Sequence, residues 1–189
     1  MARTQATDYD ERKAAIVDAA AALFASDGFS GASVADIAKR GAISKSLVYH
    51  YYQSKEDILY DVMISHVRAL EVAAAEVTGD ASVPPSKRLR ELAHRFMALY
   101  VGAADRHKVL LNDLNRLPKA RRVEIVKVQR RLIETVQKLL VEIEPALKRK
   151  AGASFAASML SSARSIGLTL GSIQKARSAP ARWRRWRWT

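Results

Sequence analysis

The chain has 189 residues, 49% of them apolar and 27% charged, the balance of a globular protein long enough to bury its own core. Cysteine is absent, which excludes a disulfide framework, a thiolate zinc site and a cysteine nucleophile. No apolar run approaches about 18 residues and the N-terminus lacks a signal peptide's apolar centre, so a cytoplasmic protein with no membrane partner is expected. The net charge of +13 invites a nucleic-acid reading until it is divided along the chain. Residues 1–60 carry −1, residues 61–145 carry +4 and residues 146–189 carry +10. Most of the basicity therefore belongs to the C-terminal fifth, and the overall charge cannot argue that the N-terminal part binds DNA.

Helical periodicity dominates, with no internal repeat and no convincing strand alternation. A first helix is expected from about Glu11 to Ser26, with Ile16, Ala20, Leu23 and Phe24 on one apolar stripe and Asp27-Gly28 ending it. A short second helix starts at Ser33, whose hydroxyl can cap it, with Asp36 completing a capping box and Gly41 breaking it. A third runs from Ser44 to about Tyr51. A fourth begins at Ser54, again with an acid three residues on, and carries Leu59, Val62, Met63, His66 and Leu70 before fading near Gly79. The Pro84-Pro85 joint is the best candidate boundary. Three segments follow: Ser86–Ala104 with Leu89, Leu92, Phe96 and Tyr100; Arg106–Leu117, stopped by Pro118; and Lys119–Glu144 with Ile133, Val136, Leu140 and Ile143. Residues 148–162 read as the start of another helix.

Residues 33–51 are two short helices around a tight turn, the spacing of a helix-turn-helix, whose second helix enters the major groove of DNA. Such a helix needs small polar or basic residues at its exposed N-terminal end, and Ser44, Lys45 and Ser46 stand there. It needs an apolar inner face, which Ile43, Val48 and Tyr52 supply. Tyr49 and Tyr51 can offer hydroxyls to phosphates, and Lys55 opens the next helix, where free N–H groups already favour an anion. Ser33 and His50 complete the candidate DNA-contacting set. His50 stands open between contact and bystander, and Lys45 and Lys55 have solvated charge as their blander reading.

The stretch GFSGASVADIAKRGAISKSLVYHYYQSKEDIL resembles the DNA-binding domain of the TetR family of one-component transcriptional regulators over residues 10–65. Gly28-Phe29, Ser33, Ile37-Ala38, Gly41, Ser44, Tyr49 and Ser54-Lys55-Glu56 fit the family pattern. Val48 stands where Leu is usual and Tyr51 where His is usual. The resemblance implies an all-α protein. A helix-turn-helix domain over residues 9–56, its connecting helix continuing to about 79, would precede a helical ligand-binding and dimerisation domain over 57–160. It implies a homodimer on a near-palindromic double-stranded DNA operator, released by a small-molecule effector, with no cofactor and no metal. Phe96, Tyr100, Leu111, Asn112 and Asn115 are candidate pocket residues. The segment RHKVLLNDLNRLP looks most like family members that sense acyl-CoA or related carboxylic metabolites.

Enzymatic readings fail on the same residues. The four histidines, His50, His66, His94 and His107, form no HExxH or ligand pair, and no phosphate loop, GxGxxG or Gly-x-Ser-x-Gly is present. Residues 161–189 do not fit the family. They contain seven Lys/Arg, no acid, and arginine alternating with tryptophan where an amphipathic interface helix is expected. One reading is a basic tail that makes the protein a nonspecific nucleic-acid or membrane-surface binder. The preferred one is translation out of frame, because back-translation with chosen permitted codons gives, in a shifted frame, an aromatic helix, a Pro-Gly loop and an Ala/Val/Met helix. The last helix is then lost or degenerate and the homodimer weakened.

Overall fold

The computed structural model describes residues 2–145. Among them stand seven α-helices, one 3-10 turn and no strand: α1 (Ala2–Gly31), α2 (Val34–Arg40), α3 (Lys45–Tyr51), α4 (Lys55–Thr78), α5 (Pro85–Gly102), α6 (Ala104–Asp113), the turn Leu114–Arg116, and α7 (Lys119–Ile143). The expected helix over 148–162, the aberrant tail and its effect on the dimer lie outside the described residues.

Helix α1 begins earlier than the apolar stripe required and breaks where the Asp27-Gly28 pair lies. Gly28 has φ 76° and ψ 161°, a conformation that an L side chain resists, and one further turn follows to Gly31. A Cβ at Gly28 would meet nothing within 4 Å, so backbone conformation and not crowding demands glycine there. Three serines then start three helices. Ser33, Ser44 and Ser54 lie in extended conformation and accept the N–H groups of Asp36, Leu47 and Asp57 through their side chains.

The helices enclose two apolar clusters. In the first, Ile16, Ala20 and Phe24 of α1 meet Ile37, Val48 and the N-terminal half of α4. It also takes in Val109 and Leu110 of α6 and Ile125 and Val128 of α7. The second gathers Leu70, Ala74 and Val77 of α4 with Leu92, Tyr100, Leu132 and Leu139. Helix α4 thus runs through both clusters, α6 packs against α1 and α4, and α7 packs against α4 and α5. The Pro84-Pro85 joint is the turn between α4 and α5, which pack together. Buried Arg88 closes that turn. Its Nε donates to Val83 O at 2.9 Å and its Nη2 to Glu142 Oε2 at 2.5 Å, tying the start of α5 to the end of α7.

The expected stripe of α7 is displaced. The buried residues are Ile125, Val128, Leu132 and Leu139. Ile133, Val136 and Leu140 are half-buried and Ile143 is exposed. Ile133 and Val136 line a cavity, and Val136 also packs against the second cluster.

Candidate nucleic-acid interface and effector cavity

The helix-turn-helix is built from its caps inward. Ser33 and Asp36 form a reciprocal capping box: Asp36 N–H donates to Ser33 Oγ at 3.2 Å, and Ser33 N–H and Oγ–H donate to Asp36 Oδ2 at 3.0 and 2.5 Å. These bonds hold the Asp36 carboxyl below its usual range. The turn is tight at Gly41, where an added Cβ would lie 3.3 Å from Ile37 O and 3.5 Å from Ala19 Cβ. Ala42 follows with φ 52°, left-handed for a residue that carries a Cβ, and Ile43 N–H donates back to Ala38 O at 3.0 Å.

Helix α3 then divides by face. Val48 is fully buried and Tyr52 nearly so, with Tyr52 Oη donating to Asp61 Oδ2 at 2.6 Å and Lys13 Nζ on the same carboxylate oxygen at 2.8 Å. Burial, then the Asp61 carboxylate, pushes the Tyr52 hydroxyl up, so it stays a neutral donor. Ser44, Lys45, Ser46, Tyr49 and His50 are exposed. The Lys45 ammonium lies 5.8 Å from the centre of the Tyr49 ring one turn on. Ser44 Oγ accepts from Leu47 N–H at 3.1 Å and lies 3.0 Å from Ser46 Oγ.

Three expected contact residues have structural employment. Ser33 spends its hydroxyl on the capping box. Tyr51 is half-buried, its ring centre 4.6 Å from that of Tyr9, so it braces α3 against α1. Lys55 departs furthest. Its Nζ donates to Phe29 O at 2.7 Å and to Ala32 O at 2.9 Å, and lies 4.3 Å from the centre of the Phe29 ring. Two of its three N–H donors are thus taken, and the expected phosphate contact is left to the third. Its ammonium is held by two carbonyls left open where α1 ends, and it ties that end to α4.

A cavity of about 450 Å³ lies between α4, α5, α6 and α7. Val67, Leu70, Phe96, Leu132 and Ile133 give it apolar walls, and Tyr100, His107, Gln129 and Arg130 are its polar neighbours. Of the expected pocket residues, Phe96, Tyr100 and Leu111 line it. Asn112 and Asn115 do not: both are exposed, Asn112 on α6 and Asn115 in the 3-10 turn that follows it.

The histidine pair was not legible in the sequence. His66 and His107 are 41 positions apart, yet His66 Nε2 lies 3.2 Å from His107 Nδ1. Burial, then His107 and Arg106, pushes the His66 imidazole down to about 4, and burial lowers His107 as well. The only hint was a histidine on the apolar stripe of α4. Beside this pair, Arg106 donates from Nη1 to Ser65 Oγ at 3.1 Å and from Nη2 to Asp18 Oδ1 of α1 at 2.6 Å. Arg121 of α7 pairs with Asp57 in the first turn of α4. Arg95 and Arg131 meet Glu76, Glu91 and Glu71. Among the described residues no group of three or more His, Asp or Glu is placed to hold a metal ion, and no helix is long and apolar enough to cross a membrane.

Residues 16–62 match the family of bacterial regulatory proteins called tetR, and residues 82–160 match the tetracyclin repressor-like C-terminal domain. A solved TetR-family transcriptional regulator from Bordetella parapertussis 12822 is 32% identical, with a TM-score of 0.72 over 83% of this chain and 81% of that one. The chain belongs to the TetR family. Among curated TetR-type relatives, the regulator BetI of Burkholderia thailandensis is 29% identical over 77% of this chain and 76% of its own length. The transcriptional repressor DhaR of Mycobacterium sp. strain GP1 is 25% identical over 67% of this chain. That match spans 64% of DhaR, slightly under two thirds of it.

Proposed function

We propose that the chain is a ligand-responsive transcriptional repressor that binds a near-palindromic operator as a two-fold dimer. One observation carries this reading: α3 buries Val48 while it exposes Ser44, Lys45, Ser46, Tyr49 and His50 together at the surface. That is the division of labour a recognition helix needs, with α3 of each subunit in successive major grooves about 34–36 Å apart. The cavity is the effector site. Helix α6 lines it with His107 and, one residue earlier, grips α1 through Arg106 and Asp18. A ligand that shifts α6 favours a domain arrangement with the wrong spacing and releases the DNA. An acyl chain suits the apolar walls, and acyl-CoA or related carboxylic metabolites are the effector class.

Dimerisation is expected to be weak. Residues 161–189 carry seven Lys/Arg and no acid in a stretch where the family resemblance calls for apolar interface sequence. Sedimentation should show mostly monomer at low micromolar concentration, and a tight dimer would refute the weakened interface. Operator selection followed by gel shift, with the full chain and with one ending at Leu160, tests the main reading. A preferred near-palindromic site is expected from both. Binding without sequence preference, lost when the tail is removed, would leave a basic-tail binder in place of a repressor.

A further inference from the structure

We propose that the cavity takes an amphipathic anion, its apolar chain held between α4, α5, α6 and α7 and its carboxylate or phosphate left at the open side against the Arg130 guanidinium. This inference rests on the reading of the cavity as the effector site and names the group by which that site selects.

The cavity has a closed end and an open one. Val67, Leu70, Leu110 and Leu132 line it from α4, α6 and α7 and are buried. Leu111 and Val126 line it too, yet both are exposed, so it opens to solvent between α6 and α7. Arg130 stands one turn along α7 from Val126, and residues four apart share a helix face. It is exposed while lining the cavity, so its methylene stem belongs to the wall and its charged head to the opening.

The charge of Arg130 is unspent. Its neighbour Arg131 meets Glu71 at 2.6 Å, and Arg106 of α6 meets Asp18 at 2.6 Å. Arg130 makes no hydrogen bond or ion pair among the described residues. Lys127 and Glu134, about one turn to either side of it on α7, offset each other in charge. Gln129 also lines the cavity, half-buried and without a hydrogen-bond partner among the described residues, so its amide N–H groups are available. A guanidinium and an amide side by side at an otherwise apolar opening suit an oxyanion. His107 cannot take that role: burial keeps its imidazole neutral near pH 7, and its Nε2 is shut off from solvent space.

The same arrangement fixes the direction of the ligand. A carboxylate or phosphate drawn to the closed end would lose its water among Leu70, Leu110 and Leu132 with no cation to meet it. At the opening it keeps part of its hydration and gains charge-assisted hydrogen bonds from the Arg130 fork. A neutral amphiphile gains nothing from Arg130, and a cationic one is repelled. The chain therefore enters first and the charged group stays outermost.

Calorimetry on the full chain without DNA tests this with decanoate, decyl phosphate, decanol and decyltrimethylammonium as probes. Arg130→Gln should weaken both anions by roughly fivefold and leave decanol unchanged. Arg130→Lys, which keeps the charge without the fork, should recover part of the loss. Added salt should weaken the anions in the parent and much less in Arg130→Gln. Leu111→Trp, at the opening, should weaken every probe that enters. Either ranking of the two anions supports the proposal and says whether the group is a carboxylate or a phosphate. Unchanged affinity for both anions in an Arg130→Gln chain with the parent's circular dichroism would overturn it. So would an equal loss for decanol, which would reduce Arg130 to a wall residue, or decyltrimethylammonium binding the parent more tightly than decanoate. Operator release is read separately. Anions that bind through Arg130 yet never release operator would sink the regulator reading alone, and release by decanol alone would sink this inference alone.

Discussion

The DNA-facing end and the cavity end of this molecule are held together by different kinds of contact. Around α2 and α3 the decisive bonds span three residues: Ser33 with Asp36, Ser44 with Leu47, Ser54 with Asp57. Around the cavity they span tens of residues: His66 with His107, Arg88 with Glu142, Arg131 with Glu71. A recognition helix must be presented in one geometry, and local caps set its start independently of the rest. A ligand cavity is assembled by distant segments, so its polar atoms can differ between relatives while the helices stay in place.

The sharpest way to break this comparison is Lys55, a long-range tie at the DNA-facing end. Lys55→Met leaves the Phe29 and Ala32 carbonyls without their ammonium and should destabilise the fold by about 3 kcal/mol. A lower urea midpoint with an unchanged salt slope of DNA binding is the expected signature. A slope reduced by about 1 with stability intact would instead make the phosphate contact the main role of Lys55.

Next comes acid. The unfolded chain protonates His66 near 6.5, the folded chain only near about 4. Above the higher value both states are neutral; between the two the unfolded state binds the extra proton, so stability falls as pH falls through that window. From pH 7 to pH 5 the loss should be about 2 kcal/mol. Thermal unfolding of His66→Phe, compared with the parent at both pH values, should show a flatter dependence, and equal slopes would put the acid sensitivity elsewhere.

Lys45→Ala should cost about 1.5 kcal/mol on the preferred operator and relax base preference, while Tyr49→Phe weakens all sequences evenly. Competition binding against scrambled DNA separates the two effects. Smaller still, Ser33→Ala and Ser44→Ala should each lower stability by about 1 kcal/mol. Ala42→Gly should raise it by about 0.5 kcal/mol, since glycine accepts the left-handed turn without strain. Denaturation curves check all three, and a neutral Ser44→Ala would mean that the α3 cap is not what fixes its start.

Legibility in the sequence follows the same division. The serine caps, Gly41, and the inward Val48 and Tyr52 were readable because each depends on a few neighbouring residues. The role of Lys55 was not, since its partners lie 23 and 26 positions away. On α7 the residues facing a partial void carry apolar side chains like those of a packed face, so periodicity alone placed the stripe one position off. Asn112 and Asn115 show the limit of composition as a guide: polar residues near an apolar segment suit a pocket mouth and a plain surface equally well.

The adjacency of Arg106 and His107 also has a consequence that runs outward from the cavity. Whatever coupling lets a ligand at His107 disturb the grip of Arg106 on Asp18 must act with equal strength in reverse, because the two equilibria share one thermodynamic cycle. Asp18 stands on α1, exposed and outside the cavity lining. On the proposed reading, operator DNA that holds α1 in place would alter ligand affinity by the factor through which ligand alters DNA affinity, and a substitution at Asp18 would change that factor. The surface of the first helix is thus a place from which selection can retune the sensitivity of the regulator without touching a single pocket residue.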